Sequence, residues 1–227
     1  MIDSLGEEQK AVAEHFRQKW QSVTTSTQRI IPEKVCGSIQ ALYETLGREE
    51  PRLFWYSNPS RMLEAADYIW TREKSLRLNA LGICFMEEFP AYFTRDVTEE
   101  LLSLFCNDSV LHNIYMELDW FLKDCSLERP HRNPEFSTWQ VLEPEQRGRI
   151  FALLDFCRSV FNYPIDQEKY RVFGDVILSC GWVIPFERDC LVCDRPAKIH
   201  LDYESQESER KVVMEFPDGF KVLTQED

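Results

Sequence analysis

The apolar residues of this 227-residue chain change their spacing near residue 180. Before that point they recur every three or four positions, as in Val12, Phe16, Trp20 and Val23, which is typical of one face of a helix. After it, short apolar segments separated by turn formers are typical of strands, and they cover 182–186, 190–193, 197–201, 210–216 and 220–223. The change predicts an α+β fold: a mostly helical body over residues 1–180, with one short strand, and a C-terminal antiparallel β-meander over 181–227, packed as one structural unit.

Turn and cap residues predict several limits within the helical part. A helical series that begins after Pro32 ends before Gly47, a residue suited to the left-handed position that closes many helices. Residues 51–56 form a short apolar and aromatic run, which predicts a buried strand. Asn58 and Pro59 then suit the N-cap and the first position of another helix. We expect further helices over 109–124, 144–161 and 170–180, and a polar surface loop over 126–143.

The chain is acidic, with 39 Asp and Glu residues against 26 Lys and Arg residues. A net charge of −13 repels phosphate backbones and anionic lipid surfaces, so we expect no direct nucleic-acid partner and no membrane partner. An acidic surface helps to keep a protein soluble, and it can also bind another protein. We expect the partner to be another protein, and a basic protein would complement the acidic surface.

Composition and cysteine usage indicate the cellular compartment of this protein. The apolar fraction of 44% with only 8 glycines is typical of a folded core. Five of the eight cysteines lie in helical or apolar patterns, where a free thiol acts as a small buried hydrophobe. Together with a start that lacks the pattern of a secretion signal, and with no apolar run of about 18 residues, this predicts a reducing, cytoplasmic location.

Residues 180–202 hold the densest set of chemically active side chains. Four of them are of the types that zinc prefers: Cys180, Cys190, Cys193 and His200. The two residues between the last two cysteines are strand-like, however, and positions three apart on a strand point to opposite faces. A second Cys-x-x-Cys pair is missing as well. We therefore expect thiols packed beside a sheet and no cofactor, with a structural zinc as the alternative.

His200 and Asp202 form a second candidate centre. They lie two positions apart on a predicted strand, hence on one face, where the carboxylate could orient the imidazole as a general base. The sequence identifies no nucleophile or second acid to complete a reaction centre. The alternative is a histidine at a strand edge that bonds a neighbouring backbone group.

Aromatic residues provide a candidate binding surface. Trp182, Pro185 and Phe186 could line a groove for a peptide, and with Trp55 and Arg195 they are the predicted binding residues. The same alternation of aromatic and aliphatic residues also results when a sheet packs on helices, so both interpretations stay open.

Two sets of residues form a recognisable pattern. The first is Gly47, Pro51, Trp55, Ser57 and Pro59. The second is Gly181, Trp182, Pro185, Phe186, Glu187, Arg195, Pro196, Ile199, His200 and Asp202, followed by Asp218-Gly219. The pattern resembles an uncharacterised bacterial family, a domain of unknown function. The resemblance implies that 181–202 form one structural unit and implies no reaction. This chain departs from the family after Asp202, where the usual glycine-containing hairpin and second histidine are missing.

The sequence thus predicts a non-enzymatic intracellular protein that binds or regulates another protein through an acidic, aromatic-bearing surface. The prediction depends on the aromatic content of 13% and on the lack of a complete catalytic constellation in the sequence. The alternative is a metal-dependent or acid/base enzyme centred on His200 and Asp202.

Overall fold

The structure is a computed structural model and describes residues 2–70, 72, 89–106, 144–200 and 212–223. Its helices are α1 (Glu7–Thr24), α2 (Pro32–Thr45), α3 (Pro59–Trp70), α4 (Phe89–Tyr92), α5 (Arg95–Cys106), α6 (Pro144–Phe161) and α7 (Gln167–Ser179). Its strands are β1 (Arg52–Tyr56), β2 (Trp182–Pro185), β3 (Asp189–Cys193), β4 (Lys198–Ile199), β5 (Val212–Glu215) and β6 (Lys221–Leu223). The α+β prediction is confirmed. The predicted helix at 109–124 and the predicted loop at 126–143 lie outside the described residues.

Local chemistry sets the helix limits as expected. Gly47 has a φ of 65°, the left-handed conformation that follows the end of α2. The side-chain oxygen of Asn58 accepts a hydrogen bond from the Arg61 amide at 3.0 Å, so Asn58 is the N-cap of α3 and Pro59 is its first residue. Of the helices that the structure describes, none has both the length and the apolar character needed to cross a bilayer.

The helices pack in pairs around a large apolar core. Helix α1 lies against α6, α2 against α7, and α5 against α6. Trp20 is buried in this core and contacts the ring of Phe151 with a centroid distance of 5.2 Å. The predicted apolar face of α1 is wrong for Val12, which is 43% exposed, because Ala13 takes the buried position beside it.

A carboxylate is buried where α1 meets α6. Asp155 is 3% exposed and accepts hydrogen bonds from the Lys19 ammonium and from the indole N–H of Trp20 at 3.1 Å. Burial alone would raise the pKa of Asp155. The hydrogen bonds from Lys19 and Trp20, together with the positive charge of Lys19, outweigh burial and lower the pKa below its ordinary value.

The strands form two three-stranded sheets. In the first, β3 lies between β1, to which it is parallel, and β2, with which it forms an antiparallel hairpin. In the second, β5 pairs antiparallel with β4 and with β6. The predicted C-terminal segments are thus divided between two sheets, and the strand near residue 54 joins the first of them.

Strand β3 is buried on both faces. Cys190 and Val192 belong to the helical core, whereas Leu191 and Cys193 belong to a second core between this sheet, α3 and the second sheet. Val213 and Met214 from β5 and Met62 from α3 lie in that second core. The first sheet is therefore the middle layer of the molecule, which explains why β2 and β3 are almost continuously apolar.

The β2–β3 turn is fixed by a side chain from the helical layer. The buried hydroxyl of Tyr43, on α2, lies 2.6 Å from the carbonyl oxygen of Phe186 and 3.1 Å from that of Asp189. The Phe186 amide also donates to the Asp189 carbonyl at 2.7 Å. Because buried carbonyl groups need donors, Tyr43 stabilises the turn and attaches α2 to it.

Candidate interaction surface at the edge of strand β1

The structure separates the cysteines predicted as metal ligands. Cys190 and Cys193 point to opposite faces of β3, as the strand spacing predicts, and each lies in a different core. Cys180 is buried on the helical side, close enough to Cys190 to raise its pKa. Within the described part of the chain, no group of three or more His, Cys, Asp or Glu side chains is placed to hold a metal ion.

Burial makes these thiols poor nucleophiles. It raises the pKa of Cys180 to about 11 and is also the main cause of the raised pKa of Cys190 and of Cys193. Since the thiolate is the reactive form, all three behave as apolar packing groups at neutral pH.

His200 lies at the surface, directly after β4. Its backbone amide donates to the carbonyl oxygen of Val213 at 3.0 Å, and its side chain is exposed. Asp202 lies outside the described residues, so the proposed orientation of the imidazole by this carboxylate stays a prediction.

Three of the predicted binding residues are interior residues. Trp182 is buried and contacts the ring of Phe216 with a centroid distance of 5.7 Å, while Phe186 and Pro185 are buried at the end of β2. The groove predicted on these three side chains is therefore not formed at the surface. Their placement agrees with the alternative interpretation, in which these residues pack the sheet on its neighbours.

Arg195 is engaged with the end of α7. Its guanidinium donates to the carbonyl oxygens of Leu178 at 2.7 Å and of Cys180 at 3.3 Å, groups that a helix end leaves without intrahelical donors. The positive charge also lies at the negative end of the helix dipole. Arg195 thus joins α7 to the segment after β3.

Trp55 is the predicted binding residue that is exposed at the surface. It lies on β1 with 42% of its surface accessible, and its neighbour Phe54 is 38% exposed. Strand β1 is confirmed, but the prediction that it is buried is wrong, because among the strands that the structure describes it lies at the edge of the first sheet. Successive side chains alternate, so Leu53 and Trp55 lie on the helical side and Phe54 on the side of the second core.

Both ends of β1 are held by side-chain clamps. At its start, the guanidinium of Arg52 forms two hydrogen bonds with the carboxylate of Asp189, at 2.7 and 3.0 Å. After its end, Ser57 and Asn58 each donate to the same carboxylate oxygen of Asp218 at 2.6 Å. Because β1 is anchored at both ends, the backbone that carries the two exposed rings is held in place before any partner arrives.

The Asp218 clamp favours the ionised carboxylate. Partial burial would raise the pKa of Asp218, but hydrogen bonds from Ser57 and Asn58 outweigh that effect and lower it. The clamp is therefore formed at neutral pH and connects the β5–β6 turn to the segment between β1 and α3.

Charges of both signs lie at the start of β1. Glu49 and Glu50 are exposed just before Pro51, and so are Arg48 beside them and Arg188, whose carbonyl accepts from the Arg52 amide. The charge of Arg52 is compensated by Asp189. The acidity that surrounds the exposed rings of Phe54 and Trp55 is therefore that of the protein as a whole, with a net charge of −13, to which Glu49 and Glu50, here called the acidic rim, contribute.

Sequence reasoning identified Trp55 but missed Phe54. Charged residues and proline immediately before an apolar strand are a signal of an edge strand, because they discourage uncontrolled pairing. Glu49, Glu50 and Pro51 carry that signal here.

Comparisons with protein-family models, with curated proteins and with solved structures found no match. The resemblance to an uncharacterised bacterial family therefore stays a prediction.

Proposed function

We propose that this protein is a non-enzymatic intracellular interaction or regulatory protein, and that its partner binds the edge of β1 at Phe54 and Trp55. The observation that carries the proposal is the exposure of two adjacent large aromatic rings on a strand that is anchored at both ends. An anchored strand adds little ordering cost on binding, and an aromatic side chain has only two rotatable bonds, which is one reason why aromatic residues are frequent among those that dominate interface energies.

The exposed area is large enough to matter energetically. Aromatic side chains bury up to about 150–250 Å² each, so the exposed parts of Phe54 and Trp55 together present about 150 Å². At about 25 cal/mol per Å², covering this area contributes at most about 4 kcal/mol to binding. That is the scale of a principal anchor and not of a whole interface, so the partner must also contact surrounding groups.

The acidic rim favours a basic partner. The chain carries a net charge of −13, and Glu49 and Glu50 precede the strand that bears the rings, so long-range attraction would speed the encounter with a positively charged surface. Buried thiols such as Cys157 and Cys190, which are free, suit a reducing compartment and support the intracellular part of the proposal.

A comparative pull-down tests this proposal. The baits are the wild-type chain, the double variant Phe54→Ser/Trp55→Ser and the control Val12→Ser, which replaces an apolar side chain on helix α1 that is 43% exposed, close to the 42% of Trp55. We expect the wild type and the Val12 variant to retain the same protein from a native lysate, and the double variant to lose it while its circular dichroism spectrum still shows a folded protein at the assay temperature. Equal recovery by all three baits would refute the proposed site.

Ionic strength separates the two parts of the proposal. We expect retention by the wild type to weaken as salt rises from about 0.05 to 0.5 M, because screening shortens the range of the acidic field. If retention requires the two rings but does not depend on salt, the proposed site is supported and the proposal of a basic partner is refuted.

A further inference from the structure

The outer edge of β1 carries backbone groups that are set up for another strand. The Arg52 amide donates to the Arg188 carbonyl at 2.8 Å, and the Asp194 amide donates to the Tyr56 carbonyl at 2.9 Å. In a parallel ladder alternate residues bond to the same neighbour, so the backbone groups of Arg52, Phe54 and Tyr56 face β3. The N–H and C=O groups of Leu53 therefore point away from β3, and so do those of Trp55.

Within the residues that the structure describes, β3 is the one strand paired with β1. The polar groups of Leu53 and Trp55 lie between the two exposed rings, since Phe54 occupies the other face. Main-chain donors and acceptors flanked by apolar side chains on both faces are the features that strand-adding peptides use.

We propose that the partner contributes an extended, basic peptide segment that pairs with β1 as a fourth strand of the first sheet. The inference rests on the proposed function and specifies how the same site binds. A segment of five or six residues matches the length of β1, which spans about 17 Å. Its alternate side chains contact Phe54 on one face and Trp55 on the other, and its basic residues lie near Glu49 and Glu50.

Charge selects this occupant over a second copy of the chain. Two copies that paired through β1 would bring together two acidic rims and two bodies of charge −13. Such like-charge contact opposes association, whereas Lys or Arg beside Glu49 and Glu50 favours it.

The first experiment is a selection with the full chain as bait and a displayed library of random ten-residue peptides. We expect enriched peptides in which apolar residues alternate and Lys or Arg gathers near one end. Apolar residues spaced every three or four positions would identify a helical ligand and overturn the proposal, as would enrichment of acidic peptides or no enrichment at all.

The second experiment uses the most enriched peptide with N-methyl groups on alternate residues. A strand beside β1 directs every second N–H toward it, so methylation of one alternate set is expected to weaken binding at least tenfold, the loss of about two hydrogen bonds. Methylation of the other set is expected to change binding less than about threefold. Equal effects of the two sets would overturn strand addition.

Amide hydrogen exchange gives a readout on the protein. On addition of the unmethylated peptide, we expect the amides of Leu53 and Trp55 to exchange more slowly, while the amide of Phe54, which faces β3, serves as the internal control. Unchanged exchange at Leu53 and Trp55 in the presence of bound peptide would overturn the proposal.

Failure of this inference can be told apart from failure of the proposed function. If the variant Phe54→Ser/Trp55→Ser loses the peptide but the two methylated sets behave alike, the site stands and strand addition falls. If that variant binds the peptide as the wild type does, both fall. A dimer of the wild type in size-exclusion chromatography that the variant lacks would make a second copy the occupant and overturn the basic-peptide proposal.

Discussion

Replacing Gly181 with Ala perturbs the close approach between the end of α7 and the end of β3. A Cβ atom on Gly181 would lie 2.3 Å from the carbonyl oxygen of Cys193 and 3.0 Å from the carbonyl carbon of Asp194. Ordinary contacts between such atoms are about 3.5 Å, so the backbone must move by about 1 Å. The φ of Gly181 is not positive, so the cost of an added Cβ is steric and involves no left-handed conformation.

The expected loss of stability is about 3 kcal/mol. Overpacking of an interior costs about 1–3 kcal/mol, and we expect the upper end because the obstructing atoms are main-chain atoms beside a strand that is buried on both faces. For a protein of this size each kcal/mol lowers the melting temperature by about 2–4 °C, so Gly181→Ala should melt about 6–12 °C below the wild type.

Urea unfolding followed by circular dichroism measures this loss. The control is Gly37→Ala, because Gly37 is exposed on α2 and an added Cβ would meet no atom within 4 Å. Alanine favours helix over glycine, so the control should gain about 1 kcal/mol. A Gly181→Ala protein within about 0.5 kcal/mol of the wild type, at an unchanged denaturant slope, would refute the packing argument.

Three further outcomes are expected. The lowered pKa of Asp155 means that its carboxylate stabilises the folded state above its ordinary value of 3.8 and loses that contribution as pH falls through the lowered value. Asp155→Asn should therefore cost about 1–3 kcal/mol in urea unfolding at pH 7 and much less near pH 2, whereas an equal cost at both would contradict this. Tyr43→Phe should cost about 1–3 kcal/mol in the same assay, because the buried Phe186 carbonyl loses its hydroxyl donor, and a neutral effect would show that the hydroxyl is dispensable. Among the cysteines that the structure describes, Cys36 is exposed and should react with a thiol reagent in the native protein, while Cys190 should react only after unfolding; mass spectrometry of the labelled peptides checks both.

The features that sequence predicted well depend on local chemistry. Gly47 closes α2 and Asn58 caps α3 because short-range backbone requirements decide such positions, and neighbouring residues reveal them. The opposite orientation of Cys190 and Cys193 was likewise predicted from the alternation of a strand.

The features that sequence missed depend on distant partners. Nothing within residues 51–56 reveals that β1 pairs with β3, whose residues lie more than a hundred positions later, so its exposed edge was not predicted. An apolar run has the same composition in a central strand and in a short edge strand, so the run itself does not distinguish them, and the local signal lies only in the flanking residues Glu49, Glu50 and Pro51.

The candidate site illustrates the same limit. The sequence is compatible with surface positions for Trp182 and Phe186, but the second core buries both side chains. Arg195 likewise has the charge of a binding residue, but its guanidinium donates to carbonyl oxygens at the end of α7. Trp55 was correctly singled out, but its importance depends on Phe54 beside it and on the clamps at both ends of the strand.

The position of β3 between the two cores has a consequence for folding during translation. Residues 189–193 contribute to both cores and provide the pairing for β1, yet they are translated more than a hundred residues after β1. Until β3 has been translated, β1 lacks the strand with which it pairs, and the apolar residues of the helical core that pack on β3 stay uncovered. The native contacts of β1 and of the helical layer should therefore form only after this delay, and the apolar residues left uncovered in the interval are open to non-native association.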